Sequence, residues 1–226
     1  MKNSQQRRLN AMHAVRQFLD NHAAALGSVN QSDSRKRLDA ALESVMALSI
    51  AQRVADREIV GLLQDEKVMV AELRYTHLRP VTAFMRTRRD KDAALAGMAR
   101  ADHRLRARQL ARAATAVASV AAPHVDSFTS AGFPPDTLAQ LALAAGSVQG
   151  IIDKRGNTLA SRMGITQGIE AALREGRTAV AMLHAVISQR FAGDPVILEE
   201  WRVSRRVVRK PGPARGSTRE GSMADT

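Results

Sequence analysis

The chain has no cysteine. That excludes disulfide bridges, thiolate metal sites and cysteine nucleophiles, and it tilts the expected compartment weakly toward the cytoplasm. Aromatic residues make up 3% of the sequence, too few for the rows of stacking rings that single-strand nucleic-acid binders display. No apolar run approaches the roughly 18 residues that a membrane span requires, and the first residues contain no apolar h-region. Neither a signal peptide nor a transmembrane helix is therefore expected. Arg7, Arg8 and Arg16 precede the first acid, Asp20, a charge pattern shared with organelle transit segments, but the same residues fit an ordinary first helix.

Motifs that carry chemistry are also missing. The sequence holds no Glu-x-x-His of a di-iron bundle, no His-Glu-x-x-His, no Walker A loop, no Gly-x-Gly-x-x-Gly after a strand and no Gly-x-Ser-x-Gly. No catalytic, metal-binding or cofactor-binding residue is assigned, and no cofactor is expected. His77 and His124, with Tyr75 and Asp126 near them in sequence, could form a polar pocket. They fit better as partners for carbonyls freed beside Pro80 and Pro123.

What is present is hydrophobic periodicity, in a chain of 226 residues that is 45% hydrophobic and so has ample material for a core. In the first long stretch the seam reads Leu38, Ala41, Val45, Leu48, Gln52, Ala55, Ile59, Leu62, Glu66, Met69, Leu73, Thr76. In the second it reads Leu138, Leu141, Ala145, Val148, Ile152, Arg155, Leu159, Arg162, Thr166, Ile169, Leu173, Gly176, Val180, Leu183, Ile187, Arg190. These spacings predict a helix from Ser34, as its cap, to about His77, roughly 65 Å long, and another from Asp136, as its cap, to about Phe191, roughly 80 Å long.

Punctuation supplies the rest. Ser4 can cap a first helix that Gly27 stops after Leu26, with Leu9, Met12, Leu19 and Leu26 inward. Pro80 should push Arg79 out of the α region and break or kink the long helix, with a short helix following to about Arg89. Asp90 to Ala101 reads as a loop. A third helix runs from about His103 to Ser130, bent or broken at Pro123, with Leu110, Ala114, Val117, Ala121, His124 and Phe128 inward. Gly132-Phe133-Pro134-Pro135-Asp136 is the firmest stop and restart. The glycines at 146, 150, 156, 164, 168 and 176 each cost about 1 kcal/mol in a helix interior, so a break near Gly156 is the alternative to one continuous helix. They could instead let a neighbour approach closely. Asp194 and Pro195 open a last short helix to about Val208. The tail that follows, 209–226, is Pro, Gly and Ser rich and basic, and reads as disordered.

The fold expected is all-α: an elongated bundle of two long antiparallel helices, two shorter helices and a short C-terminal helix, forming one domain over 4–208. Thr76-His77-Leu78-Arg79-Pro80-Val81, Gly132-Phe133-Pro134-Pro135-Asp136 and Glu200-Trp201-Arg202-Val203-Ser204-Arg205-Arg206 together resemble a family of all-helical bacterial proteins with no assigned activity. The likeness covers about residues 8 to 208. It implies a bacterial origin and a helical fold, and carries over no functional residue.

Two features point to function. Net charge is +12, and it is clustered: nine basic residues against three acids over 86–112, and seven against two over 201–226. Genome bias accounts for arginine over lysine, not for clustering. Arg104, Arg108 and Arg112 share one face of the third helix, and Arg202, Arg205, Arg206 and Arg209 lie at the basic end. All seven are candidate phosphate contacts. The second feature is ionic: Glu66 on one seam could meet Arg155 or Arg162 on the other and set register. The favoured expectation is a non-enzymatic structural or interaction protein, with a protein partner or a homodimer covering seam that the short helices leave open. The alternative is a nucleic-acid-associated protein that binds phosphates without sequence specificity, with anionic membrane surfaces a weaker variant.

Overall fold

The computed structural model describes residues 1–88 and 105–206. The loop expected over 90–101, the tail 209–226, Arg104 and Arg209 lie outside the described residues. Among the described residues every regular element is helical. In chain order they are α1 (Asn3–Asn21), α2 (Ala23–Leu26), a 3₁₀ turn (Gly27–Gln31), α3 (Asp33–Glu72), a π turn (Leu73–Leu78), α4 (Arg79–Thr87), α5 (Ala107–Ala121), a 3₁₀ turn (Ala122–His124), α6 (Val125–Ser130), α7 (Thr137–Arg190) and α8 (Pro195–Ser204). The all-α architecture with two long helices is thus observed, and α7 continues unbroken through Gly156.

The chain forms two compact units, one of Met1–Ile50 with the chain from Thr166 onward, the other of Ala51–Ile165. In the first unit the apolar faces of α1, α3, α7 and α8 close over Met12, Val15, Phe18, Leu19, Leu38, Leu42, Ile169, Leu183, Ile187 and Trp201. Here α3 and α7 run antiparallel: Gly168 lies against Leu48 and Gly176 against Ala41 and Met12. Close approach at these two glycines is real, because a Cβ on Gly176 would overlap the end of Met12. At Gly146, Gly150, Gly156 and Gly164 a Cβ would meet no described residue within 4 Å, so among the described residues no close neighbour approaches there. The helix starts differ from expectation in detail. α1 begins at Asn3, where Gln5 Oε1 accepts the Lys2 amide at 2.8 Å, rather than being capped by Ser4. At α3 it is the Ser32 hydroxyl, not Ser34, that accepts an N-terminal amide, that of Arg35 at 3.3 Å. α1 also ends early, at Asn21, and Leu26 belongs to the short α2, which Gly27 terminates at φ +53°. The Asp194 carboxylate caps α8, accepting from the amides of Val196 and Ile197 at 3.1 Å, and α8 stops at Ser204, short of Val208.

In the second unit a single core joins α4, α5, α6 and the facing parts of α3 and α7, built on Leu73, Val81, Met85, Leu110, Val117, Phe128, Leu141 and Val148. Phe84, Phe128 and Phe133 form an aromatic trio with ring centres 4.5 to 5.5 Å apart, in the range where aromatic pairs add to simple burial. The stop at Gly132 is a Schellman motif: Gly132 takes φ +93°, its amide reaches the Thr129 carbonyl at 2.9 Å, and the Phe133 amide reaches Phe128 at 3.1 Å. Asp136 stands just before α7, but its carboxylate accepts the Gln140 side chain at 2.6 Å.

Pro80 does not break the helix, and Arg79 keeps α geometry at φ −60°, ψ −46°. Instead the preceding turn widens, and the Arg79 amide reaches back five residues to the Arg74 carbonyl. A proline four residues after a carbonyl clashes with it in an α-helix; the wider π turn displaces those carbonyls and accommodates the ring. The extra residue moves the seam. Leu73 is followed by Leu78, Val81 and Met85 in the core, while Thr76 is exposed. Pro123 acts as expected, converting one turn to 3₁₀ between α5 and α6. Leu159 and Arg190 also turn outward from the expected seam, and Arg190 Nε donates to the Ala25 carbonyl at 3.1 Å.

Candidate functional site

Charged residues entering an apolar seam must find partners, because an isolated buried charge is costly. Glu66 faces Arg155, with Nη1 to Oε2 at 2.5 Å. The contact is an ion pair without the alignment of a directed hydrogen bond, and Oε2 is buried. Arg162 instead meets Asp56, a residue just off the seam. Of the two arginines open to Glu66 by spacing, the structure brings Arg155 to it. Both pairs lie within the second unit, where each links α3 to α7 across their antiparallel seam.

The arginine face of α5 is exposed. Arg108 Nη2 lies 3.3 Å from Asp153, whose carboxylate also accepts Gln149 Nε2 at 2.8 and 2.9 Å. Arg112 edges an open groove of about 430 Å³ between α5 and α7, walled by small side chains such as Ala116 and Gly146. In the first unit Arg202 is bonded to Glu199 at 3.1 Å, while Arg205 and Arg206 lie exposed just past the end of α8. His77 is half-buried, 3.9 Å from Glu72, and Tyr75 is exposed. No group of three or more potential metal ligands forms among the described residues, and none of their helices is long and apolar enough to cross a membrane.

Trp201 docks the last helix, as its place beside Val203, Val207 and Val208 leads one to expect, though Val203 itself is 65% exposed. Two constellations, however, join residues that the sequence does not connect. The first surrounds Trp201, which is fully buried, packs on Phe18 with ring centres 5.2 Å apart, and donates its indole N–H to Nδ1 of His184 at 3.0 Å. The indole is a donor only, so this bond requires Nδ1 to be unprotonated. Burial, and then the positive charges of Arg205 and Arg202, push the His184 pKa below its ordinary value. Both influences favour the neutral ring that Trp201 needs. The second constellation gathers Arg8, Arg177 and Arg205 around a cavity of about 230 Å³ between α1 and α7. Arg8 is tied to Glu170 at 3.0 Å, and Glu170 also accepts Gln5 Nε2 at 2.9 Å. Gln5 and Arg8 are separated from Glu170 by more than 160 positions of sequence, and no local spacing signals the group. No family model, curated protein or solved structure matches the chain.

Proposed function

We propose that this chain is a non-enzymatic structural protein of the helical-bundle class that pairs with a second copy of itself along the outer face of α3. The observation that carries the reading is an apolar strip on α3 outside its seam. Val54 and Val68 are 59% and 57% exposed, and Val60, 68% exposed, flanks them. Gly61 lies midway between Val54 and Val68 at heptad spacing, with open space where a side chain would project. An antiparallel second copy crossing at Gly61 brings Val54 level with the other copy's Val68, and Arg57 level with its Asp65. The same surface thus complements itself, as an isologous interface must, and a small residue at the crossing permits close approach of the two backbones.

Sedimentation equilibrium up to high micromolar concentration tests this. The full chain should approach twice its 24.5 kDa, and Val54→Glu with Val68→Glu should remain monomeric at every concentration while keeping its helical signal. A monomer throughout, or a dimer indifferent to both glutamates, would refute the reading.

A second reading, phosphate-mediated association with nucleic acid, is supported by Arg112, Arg205 and Arg206, which make no ion pair with another described residue. Anisotropy with duplex DNA at low and near-physiological salt tests it, since phosphate contacts give a steep salt dependence.

A further inference from the structure

We infer that the cavity ringed by Arg8, Arg177 and Arg205 is a binding site for a small amphiphilic carboxylate of about six to eight carbons in all. The cavity belongs to the first unit and is independent of the pairing face on α3. Its floor is apolar, formed by Met12 and Val15 of α1 and Val180 of α7. Its rim carries three guanidinium groups, of which, among the described residues, only Arg8 is offset by a carboxylate, that of Glu170. Arg177 and Arg205 make no ion pair with another described residue, and both are exposed. The result is a two-charge excess over a low-polarity floor, the arrangement that concentrates an electric field on an entering anion.

The two halves of the site ask for different things. Guanidinium groups match a carboxylate in shape and charge and can bind it through two parallel N–H donations. The floor offers no hydrogen-bonding side chain, so the group beneath the carboxylate must be hydrocarbon. Size narrows the choice further. At about 30 Å³ per water in the liquid, the 230 Å³ cavity holds roughly eight waters, and hence a ligand on the order of eight to ten non-hydrogen atoms. That is the size of hexanoate to octanoate, at the small end for a ligand pocket. The backbone of Arg205 follows directly on α8, its amide bonded to the Trp201 carbonyl at 3.1 Å, which brings its side chain to the rim of the cavity.

Calorimetric titration of the full chain with octanoate, below its micelle concentration and in near-physiological salt, tests the assignment. Saturable binding at one site is expected, with octanol and inorganic phosphate each weaker by at least roughly ten-fold, since each lacks one half of the recognition. Replacing both exposed arginines, Arg177→Gln with Arg205→Gln, should weaken octanoate by a similar factor while leaving the circular dichroism spectrum unchanged. Ala181→Phe, at the cavity's edge, should block entry with all three arginines intact. Equal affinity for octanol would overturn the role of the arginines. Equal affinity for phosphate would overturn the role of the floor. Octanoate binding that survives both variants would place the ligand elsewhere and overturn the site itself.

Discussion

Glu66→Ala leaves the Arg155 guanidinium facing the seam without its carboxylate, and the structure sets how much that should cost. Breaking a fully buried ion pair by removing one member costs about 3 to 5 kcal/mol, most of it the desolvation of the stranded charge. Glu66 is 13% exposed and Arg155 27%, so water reaches the stranded charge in part, and a loss of about 2 kcal/mol is expected. Combining Glu66→Ala with Arg155→Met removes the charge and keeps the apolar stem. The double variant should therefore recover about 1 kcal/mol or more relative to Glu66→Ala. Asp56 and Arg162 provide the internal comparison. Their side chains are 47% and 41% exposed, and an exposed pair is worth about 0 to 1 kcal/mol. Urea denaturation followed by far-ultraviolet circular dichroism, over the two double-mutant cycles and a third pairing Glu66 with Arg162, measures the coupling directly. The ordering should be Glu66 with Arg155 first, Asp56 with Arg162 second, and Glu66 with Arg162 near zero. Additive behaviour of Glu66 and Arg155, or stronger coupling of Glu66 to Arg162, would refute the reasoning.

The histidines predict an acid sensitivity. His184 is depressed by burial and by Arg205 and Arg202, and His13 by burial and by Arg16, so between their folded values and the ordinary value near 6.5 the unfolded chain binds more protons than the folded one. Their contribution is complete above that ordinary value and is lost as pH falls through the depressed folded values. Melting temperature should drop as pH falls below about 6.5, and His184→Gln, which retains an acceptor for Trp201, should flatten the slope; an unchanged slope would exclude His184 as a source. Glycine substitution on α7 should depend on what faces it. Gly150→Ala meets open space and should stabilise by about 0.4 to 1 kcal/mol, whereas at Gly176 the new methyl must displace the flexible end of Met12, which offsets the helical gain. A Gly176→Ala variant that melts as high as Gly150→Ala would contradict this.

Periodicity made the long helices legible, because two elements that bury one stripe each must repeat apolar residues at helical spacing. Two polar members of the first seam obeyed it as well: Gln52 is buried, and Glu66 is largely so. The π turn was not legible. One inserted residue between Leu73 and Leu78 leaves Thr76 in the expected place on paper and outside in fact, and Pro80 alone does not distinguish a break from a widened turn. Val15 and Phe18 entered the core of α1 unannounced, since α8 supplies Trp201 as a second partner for that helix. Asp56 was missed as the partner of Arg162 for a related reason: it lies one position beside the seam residue Ala55, and only the three-dimensional crossing shows that its carboxylate reaches over. The cavity of Arg8, Arg177 and Arg205 is the extreme case, assembled from α1, α7 and the turn that follows α8, whose arginines have ordinary surface spacing.

A chain without cysteine lends itself to a geometric test of its pairing. Gly61→Cys, Val54→Cys and Val68→Cys, made singly and mixed in pairs, can be oxidised gently and the covalent dimers counted, because a disulfide forms only where the two Cα atoms come within about 7 Å. Antiparallel pairing about Gly61 predicts that Gly61→Cys links to itself, that Val54→Cys and Val68→Cys do not, and that a mixture of those two links to each other. Self-linking at 54 and 68 as efficient as at 61, or no linking in any combination, would contradict the account.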